Sequence, residues 1–217
     1  MPKRFAELPR CGQLFVAAVI GLGGLAFFRS AVALVLQPVD SQWVVVAAAL
    51  LAACVGDIAT AESPSEALEA TAHCLRQLTP AAVYARFVYD RGADVLTCLN
   101  AVGDKQRLLD GLNIRLGERV SGWVAANGRT AVNSDASLDL AQIAGFSTPP
   151  LRSTISAPLS KGDVLLGVLT AYSNREEAFN DGHRYTFEYL AAAFVARIAL
   201  LQSITSSNLL SFRSNKK

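Results

Sequence analysis

Two β-rich runs joined by a four-residue polar turn constrain the fold of this chain most. Residues 152–159 and 164–173 flank the sequence Ser160-Lys161-Gly162-Asp163, whose composition is typical of a tight hairpin turn. Residues 164–172 are apolar on both alternating faces, which favours a central strand covered on both sides over an edge strand. The chain therefore needs an antiparallel sheet with packing partners on both faces.

A short helix and an edge strand are predicted before this hairpin. Gly117 and Gly128 bracket an amphipathic segment, and Gly128 stands where a helix C-terminus favours a left-handed residue. Residues 130–133 follow as a candidate edge strand. Farther upstream, Ser63-Pro64-Ser65-Glu66 forms a capping box that predicts a helix start. Residues 83–89 and 95–102 alternate in polarity and predict a second hairpin.

The last predicted helix, residues 181–203, is apolar on two faces. One face carries Phe187 and Phe194, and a second row runs through Tyr185, Tyr189 and Ala193. Because one sheet covers only one face of a helix, the second row needs another partner, which we expect to be a second copy of the chain. Residues 204–217 form a tail rich in serine and lysine that we expect to be disordered.

Apolar residues are concentrated between residues 14 and 55, where the only charges are Arg29 and Asp40. Residues 14–36 would span about 35 Å as a helix, enough for a bilayer, with Arg29 near an interface. Residues 43–55 form a shorter run that begins at Trp43, as an interfacial aromatic does. We predict a membrane hairpin over residues 14–56, after a basic N-terminal segment at residues 1–13.

The number of times that this segment crosses the membrane determines the compartment in which the rest of the chain lies. A cleavable signal peptide is the alternative, but its apolar region would be too long and no clean small-x-small cleavage site precedes a mature domain. Basic residues before the first run place the N-terminus in the cytoplasm, and two crossings return the rest there, anchored to the inner membrane. A single crossing would place it outside. Four scattered cysteines without metal-ligand spacing fit a reducing compartment and predict unpaired thiols.

Short motifs in a fixed order resemble those of bacterial GAF domains. They are Leu116-Gly117, Ser121-Gly122-Trp123-Val124-Ala125, Asn133 with Asp135, Leu151-Arg152-Ser153, Ala157-Pro158-Leu159, Leu166-Gly167-Val168-Leu169, and Phe179 with His183. The resemblance covers residues 64–203, preceded by a linker at residues 57–63. It implies an α+β fold in which a central antiparallel sheet carries helices on one face and a ligand cavity on the other.

The resemblance also implies that the loop at residues 134–150 closes over the cavity. The side chains expected near its mouth, and so the predicted ligand-binding residues, are Trp123, Asn133, Asp135, Arg152, Ser153 and Tyr172. Arg152 would pair with an anionic ligand group or with Asp135. Asn133 and Asp135 have turn chemistry as their alternative, and Trp123 has a core position. The sequence indicates no catalytic residue, no metal site and no particular cofactor.

The resemblance favours a membrane-anchored sensory or regulatory module in signal transduction. It would bind a small molecule, or relay a conformational signal, and act on a separate cyclase, phosphodiesterase or kinase as a homodimer joined through its first and last helices. The alternatives are a ligand-free dimerisation module, a truncated relic of a larger signalling protein, and a reductase of free methionine sulfoxide. We expect no enzymatic activity, because only Cys98 falls in the sheet. No basic stripe interleaved with aromatic residues indicates a nucleic-acid partner.

Overall fold

An antiparallel sheet organises the computed structural model, which describes residues 41–103, 106–141, 143 and 148–214. Six strands of these residues pair in the order β3-β2-β1-β6-β5-β4. They are β1 (Val83–Asp90), β2 (Val95–Gly103), β3 (Asn113–Arg115), β4 (Ala131–Asp135), β5 (Ser153–Lys161) and β6 (Val164–Ser173). The apolar run of β6 lies between β1 and β5, and β4 lies at the edge, so both strand predictions are confirmed.

Two glycines shape the strands around β6. Gly162 has a φ of 58° in the predicted turn between β5 and β6, with open space where a side chain would begin. Gly167 has a φ of 158°, and a Cβ there would collide with the carbonyl oxygen of Phe87 in β1. The first glycine is therefore required by backbone conformation alone, whereas the second also allows β1 and β6 to approach each other.

Helices cover both faces of the sheet. One face packs against α1 (Ser41–Thr60), α2 (Pro64–Leu78) and α5 (Asp181–Ser214), and the other packs against α3 (Arg119–Asn127) and α4 (Ala136–Leu140). The long-helix core includes Leu68, Leu75, Leu169, Phe187 and Phe194. The opposite core includes Phe87, Leu96, Ile114, Val124 and Val168. The predicted α+β architecture is confirmed, with short helices added on the second face.

The predicted helix ends are present at both marked positions. Ser63 Oγ accepts a hydrogen bond from Glu66 N at 3.2 Å, as a capping box requires, whereas the Glu66 carboxylate accepts from Glu62 N at 2.8 Å. Gly128 has a φ of 63°, and its N–H donates to Val124 O at 2.9 Å. Local sequence chemistry thus sets where α2 begins and where α3 ends.

The second arm of the predicted membrane hairpin lies within α1. Leu51, Cys54 and Ile58 of this helix are buried against α2 and α5, so the C-terminal part of α1 packs on the domain. Residues 57–60, which we assigned to a linker, continue the helix because the burial of Ile58 holds its last turn. The linker is thus confined to residues 61–63. The first arm, residues 14–36, lies outside the described residues.

The prediction of unpaired thiols is wrong for two cysteines. Cys54 of α1 and Cys74 of α2 form a disulfide, with their Cα atoms 5.7 Å apart. Cys98 in β2 is a buried free cysteine. The pair was missed because 20 residues separate the two cysteines, and only the packing of α1 on α2 brings them together.

The last helix is longer than predicted. It continues to Ser214, where we expected a disordered tail from residue 204, because no glycine or proline interrupts residues 183–214. Within the described residues, one helix segment, Asp181–Ile204, is long and apolar enough to cross a membrane, with a hydropathy of 1.4. Phe187, Leu190 and Phe194 of that segment are buried in the domain, so it serves here as a core helix.

Candidate functional site

Three of the predicted site residues, Asn133, Ser153 and Arg152, contact the connection between β6 and α5. Asn133 binds the backbone of Phe179 twice, since its Oδ1 accepts from Phe179 N at 2.8 Å and its Nδ2 donates to Phe179 O at 2.6 Å. Ser153 Oγ donates to the carbonyl oxygen of Arg175 at 2.7 Å. The connection is therefore fastened to the strands β4 and β5 by side chains that we predicted to face a ligand.

Arg152 and Asp135 also have partners within the protein. Arg152 pairs with Glu176 at 3.0 Å, and both side chains are more than half exposed. Asp135 Oδ1 accepts a hydrogen bond from Ser137 N at 2.8 Å and caps α4. That hydrogen bond lowers the pKa of the Asp135 carboxyl. Asp135 thus has the turn role that the sequence left open. Trp123 lies apart on α3 with 44% of its surface exposed.

Tyr172, the sixth predicted residue, belongs to a buried polar group on the face covered by α3 and α4. We call this group the Asp139 cluster, and each of its members is 0% exposed. Its members are Ser121, Asp139, Ser156, Thr170 and Tyr172. The sheet therefore has a polar interior on the face where the resemblance predicts a ligand cavity.

Neutral donors surround the Asp139 carboxylate. Its Oδ1 accepts from Ser121 N at 2.8 Å, and its Oδ2 accepts from Ser121 Oγ at 2.5 Å and from Tyr172 Oη at 3.0 Å. Within the described part of the chain, no Lys, Arg or His forms an ion pair with this carboxylate. A buried carboxylate is costly unless it is hydrogen-bonded, so these three donors hold it in place.

Hydroxyl groups extend the cluster across the sheet. Thr170 Oγ1 lies 3.0 Å from Ser121 Oγ and 2.8 Å from Ser156 Oγ. Thr170 and Ser156 are register partners on β6 and β5, so strand pairing itself sets their contact. Burial, followed by the charge of Asp139, raises the pKa of Tyr172 well above its usual value, so its hydroxyl stays a donor at neutral pH.

Backbone packing brings α3 and α4 to this site. A side chain at Gly122 would collide with the carbonyl oxygen of Arg115, so glycine lets the start of α3 lie directly against β3. Arg119 donates from its guanidinium to the backbone carbonyl of Asp139 at 2.6 Å and links the two helices.

Sequence reasoning missed Asp139 because we interpreted residues 134–150 as a loop. The available signal was the helix-capping Asp135, with Asp139 one turn later beside Leu140.

The described residues offer neither a reactive thiol nor a group of metal ligands. Burial raises the pKa of the Cys98 thiol to about 12, so this cysteine remains protonated at neutral pH. No group of three or more His, Cys, Asp or Glu residues that could hold a metal ion occurs in the part of the chain that the structure describes. The Asp139 cluster therefore consists of hydroxyl groups and one carboxylate that bind one another by hydrogen bonds, and it presents no thiolate.

A second concave region lies on the other side of the molecule. It is a groove of about 530 Å³ between α5, β5 and the turn after α3, lined in part by Arg129, Pro158, Arg184 and Glu188. Arg184 pairs with Asp181 at 3.3 Å and lies 3.9 Å from Glu188. The charges of this groove are thus partly neutralised by one another.

Comparisons with known proteins agree on the fold. The model of the family described as "GAF domain" matches residues 61–199. A free methionine-R-sulfoxide reductase from Neisseria meningitidis, solved with its substrate, is 24% identical, with a TM-score of 0.60 over 71% of this chain and 89% of that chain. The GAF domain of a phosphoenolpyruvate-protein phosphotransferase from Coxiella burnetii is 20% identical, with a TM-score of 0.62 over 72% and 95%.

A third similar structure is the GAF domain of the corresponding phosphotransferase from Acinetobacter, which is 16% identical with a TM-score of 0.60 over 72% of this chain and 95% of that chain. At these identities the similarity concerns the fold alone. No curated protein sequence matches the chain significantly. The family match covers more than half of the chain and agrees with the observed sheet, its two helical faces and the motif order. The chain belongs to the GAF domain family.

Proposed function

We propose that this GAF domain is a membrane-anchored sensory or regulatory module, and that the Asp139 cluster is the place where a small polar molecule or a conformational change acts. The observation that carries the proposal is the alternation of β6. Thr170 and Tyr172 join the cluster on one face, whereas Leu169 and Ala171 belong to the long-helix core on the other. All four are 0% exposed. A single central strand is thus shared by both interiors.

This arrangement supports coupling between the two faces. Protein interiors are close-packed, so a shift of Thr170 or Tyr172 is felt by the neighbouring residues of the same strand. Leu169 and Ala171 pack in the cluster of side chains that also includes Phe187 and Phe194 of α5. A ligand that exchanged hydrogen bonds with Asp139 would therefore act on the position of α5. Such differential contacts in two states are what a sensory domain requires.

A non-enzymatic role fits the chemistry of the site better than reduction of a sulfoxide. The reductase among the similar structures acts on free methionine sulfoxide. In this chain, Cys54 and Cys74 are joined on the opposite side of the sheet, and Cys98 is a buried, protonated thiol. The cluster itself contains hydroxyls and one carboxylate, and the described histidines lie outside it. The reactive thiolate that such a reduction would use is thus missing from the described site.

Anchoring and output complete the proposal. The proposed anchor is the hairpin that begins with the apolar run at residues 14–36, and the proposed output is a separate cyclase, phosphodiesterase or kinase. The inner membrane remains the proposed location. Its cytoplasmic side was inferred partly from unpaired cysteines, and the pairing of Cys54 with Cys74 removes that argument.

A ligand-free dimerisation module is the second candidate, and an exposed apolar surface favours it. Tyr189, Leu200 and Ile204 of α5 are 38%, 54% and 50% exposed. The neighbouring α1 exposes only small residues along much of its outer side. By contrast, α2 exposes polar residues, among them Glu69 and Arg76, so we propose a dimer surface on α1 and α5 rather than on the first GAF helix.

Native mass spectrometry of the full chain, purified in mild detergent, tests the leading proposal. We expect a retained small molecule in the wild type and its loss in Thr170→Val, which deletes one cluster hydroxyl with little change in shape. Thr97→Val is the matched control, because Thr97 bonds to Asn113 away from the cluster. A wild-type chain that carries no molecule, and takes up none from cell extract, would favour the ligand-free candidate.

A further inference from the structure

A covalent tie joins the helix that leads into the domain to the domain itself. Cys54 lies in α1 and Cys74 in α2, and the distance between their Cα atoms, 5.7 Å, is usual for a disulfide. The two residues are 3% and 1% exposed. The bond therefore lies in the contact between α1 and the domain, and not on the surface.

Apart from this bond, α1 is held to the domain by one stripe of buried residues, flanked by the partly buried Leu50 and Val55. Leu51, Cys54 and Ile58 form one helical stripe that is buried, whereas Ala52, Ala53 and Gly56 face outward. At the end of the helix, Arg197 Nε of α5 donates a 2.6 Å hydrogen bond to Ala61 O. The disulfide lies in the middle of this stripe. It therefore fastens to the domain a part of α1 that is distant from the hydrogen bond at Ala61.

Burial of the sulfur atoms links the state of the bond to the position of α1. Thiol–disulfide exchange needs direct attack on a sulfur atom by another thiolate, and the docked helix covers both sulfurs. The bond can therefore form or break only when α1 lifts from α2. Once closed, it makes that lifting rare. These two properties distinguish the cysteine pair from an ordinary packing contact.

We propose that Cys54 and Cys74 form a redox-sensitive clasp that fixes α1 on the domain when oxidised and releases it when reduced. The oxidant is a low-molecular-weight disulfide, RSSR. The Cys54 thiolate attacks RSSR and releases one RS⁻, and the Cys74 thiolate then attacks the Cys54 sulfur of the mixed disulfide and releases a second RS⁻. Two cysteine thiols are oxidised, RSSR is reduced to two RSH, and the two cysteine protons pass to the released thiols.

The clasp would decide whether movement of α1 reaches the sheet. With the bond closed, α1 and α2 move as one body, and α2 belongs to the same core as β6 and α5. With the bond open, α1 is held by its buried stripe and by the hydrogen bond from Arg197. The inference does not require a ligand at the Asp139 cluster, so it can fail or succeed independently of the proposed function.

Hydrogen exchange of the full chain in detergent tests the clasp without any substitution. Thiol labelling under denaturing conditions reports the state of the bond, because the sequence has four cysteines and the closed bond removes Cys54 and Cys74 from labelling. We expect oxidised glutathione to close the bond and a reductant to open it. Opening should raise amide exchange in α1 by about 100-fold, as expected for a disulfide that closes a loop of this length. Exchange in β1 and β6 should change far less.

Two variants sharpen the result. Cys54→Ser combined with Cys74→Ser should show rapid α1 exchange that no longer responds to reductant. Cys98→Ser, at the buried cysteine outside the pair, should keep the full response. The proposal is overturned if all four cysteines still label after treatment with oxidised glutathione. It is equally overturned if reduction opens the bond and leaves α1 exchange unchanged.

Discussion

The hydroxyl of Tyr172 donates a 3.0 Å hydrogen bond to Asp139 Oδ2, and both residues are 0% exposed. This bond joins the central strand β6 to the short helix α4, and no ion pair among the described residues involves the Asp139 carboxylate. The carboxylate depends on hydrogen-bond donors alone. The site is therefore sensitive to any change in donor number, which is a property of both a ligand site and a rigid polar core.

Asp139→Asn tests this dependence. The asparagine places an NH₂ group against a donor, so we expect the free energy of unfolding to fall by about 1 to 3 kcal/mol. Chemical denaturation measures the loss. Asp163→Asn, in the exposed hairpin turn, is the matched control and should change stability by less than about 0.5 kcal/mol. Equal effects of the two substitutions would mean that the cluster contributes nothing specific.

His183 should make the protein acid-sensitive below neutral pH. Burial lowers the pKa of this histidine from 6.5 to about 4, with a smaller effect from Arg175. The neutral form is favoured in the folded state, so the stabilisation is complete above pH 6.5 and is lost as pH falls through 4. Between pH 7.5 and 5 the loss should be roughly 2 kcal/mol.

His183→Asn isolates this contribution, because asparagine can still accept the hydrogen bond that Asn180 N donates to His183 Nδ1. We expect the variant to lose less stability than the wild type over the same pH interval. His73→Gln, at the exposed histidine of α2, controls for the removal of a histidine. Parallel pH curves for wild type and His183→Asn would refute the assignment.

Local chemistry in the sequence predicted those parts of the fold that depend on neighbouring residues. Ser63, Gly128 and Gly162 each act on their own turn of chain, and each has the predicted role. Parts that depend on packing between distant elements were not predicted. The contact of Cys54 with Cys74 arises only when α1 packs on α2, and no spacing in the sequence encodes it. The burial of Asp139 likewise depends on how α4 packs on the sheet, although Asp135 marked the start of that helix.

The predicted site shows the same limit. Asn133, Arg152 and Ser153, which the resemblance placed near a cavity mouth, each contact the connection between β6 and α5. Their partners, Phe179, Glu176 and Arg175, come from a connection whose path the sequence pattern does not specify. Polarity alone could not distinguish residues that hold a loop from residues that face a ligand.

Gly162 and Gly167 should respond differently to alanine. Gly162→Ala places a side chain in open space at positive φ and should cost about 1 kcal/mol. Gly167→Ala must also displace the carbonyl of Phe87, so we expect a loss of about 3 kcal/mol or a failure to fold. Thermal unfolding of both variants gives the comparison. A larger effect at Gly162 would contradict the close approach of β1 and β6.

Arg152→Ala should barely alter stability. The ion pair with Glu176 is exposed on both sides, and such pairs contribute about 0 to 1 kcal/mol. If Arg152 also binds an anionic ligand, the same substitution should weaken that ligand by about 1.5 to 3 kcal/mol, measured by titration calorimetry. Glu176→Gln is the matched control, since it removes the pair and keeps the arginine. A known ligand with unchanged affinity would assign Arg152 a structural role alone.

Association of two chains is the last prediction, and it concerns the outward face of α5. Ala193 of the predicted dimer row packs against the core, so a charge there would also disturb folding. Ala196 is exposed on the same helix, near Leu200, which is 54% exposed. The one charged side chain of α5 between Glu188 and Ile204 is Arg197, which bonds inward to Ala61 O. This face therefore offers an uncharged surface that a second copy can cover.

Ala196→Glu should weaken a dimer formed through this face, because each copy would bring a carboxylate into an apolar contact. We expect the dissociation constant of the full chain in mild detergent to rise about tenfold or more, which corresponds to ~1.4 kcal/mol or more, by analytical ultracentrifugation. Ala126→Glu, at an exposed alanine of α3 on the opposite side of the sheet, controls for added charge and should leave association unchanged.

If the wild-type chain is monomeric at tens of micromolar, about the range in which weak interfaces still associate, the dimer is excluded. Signalling would then have to pass through α1 and α5 of a single chain, because their shared core would be the remaining route from β6 to the membrane-proximal end.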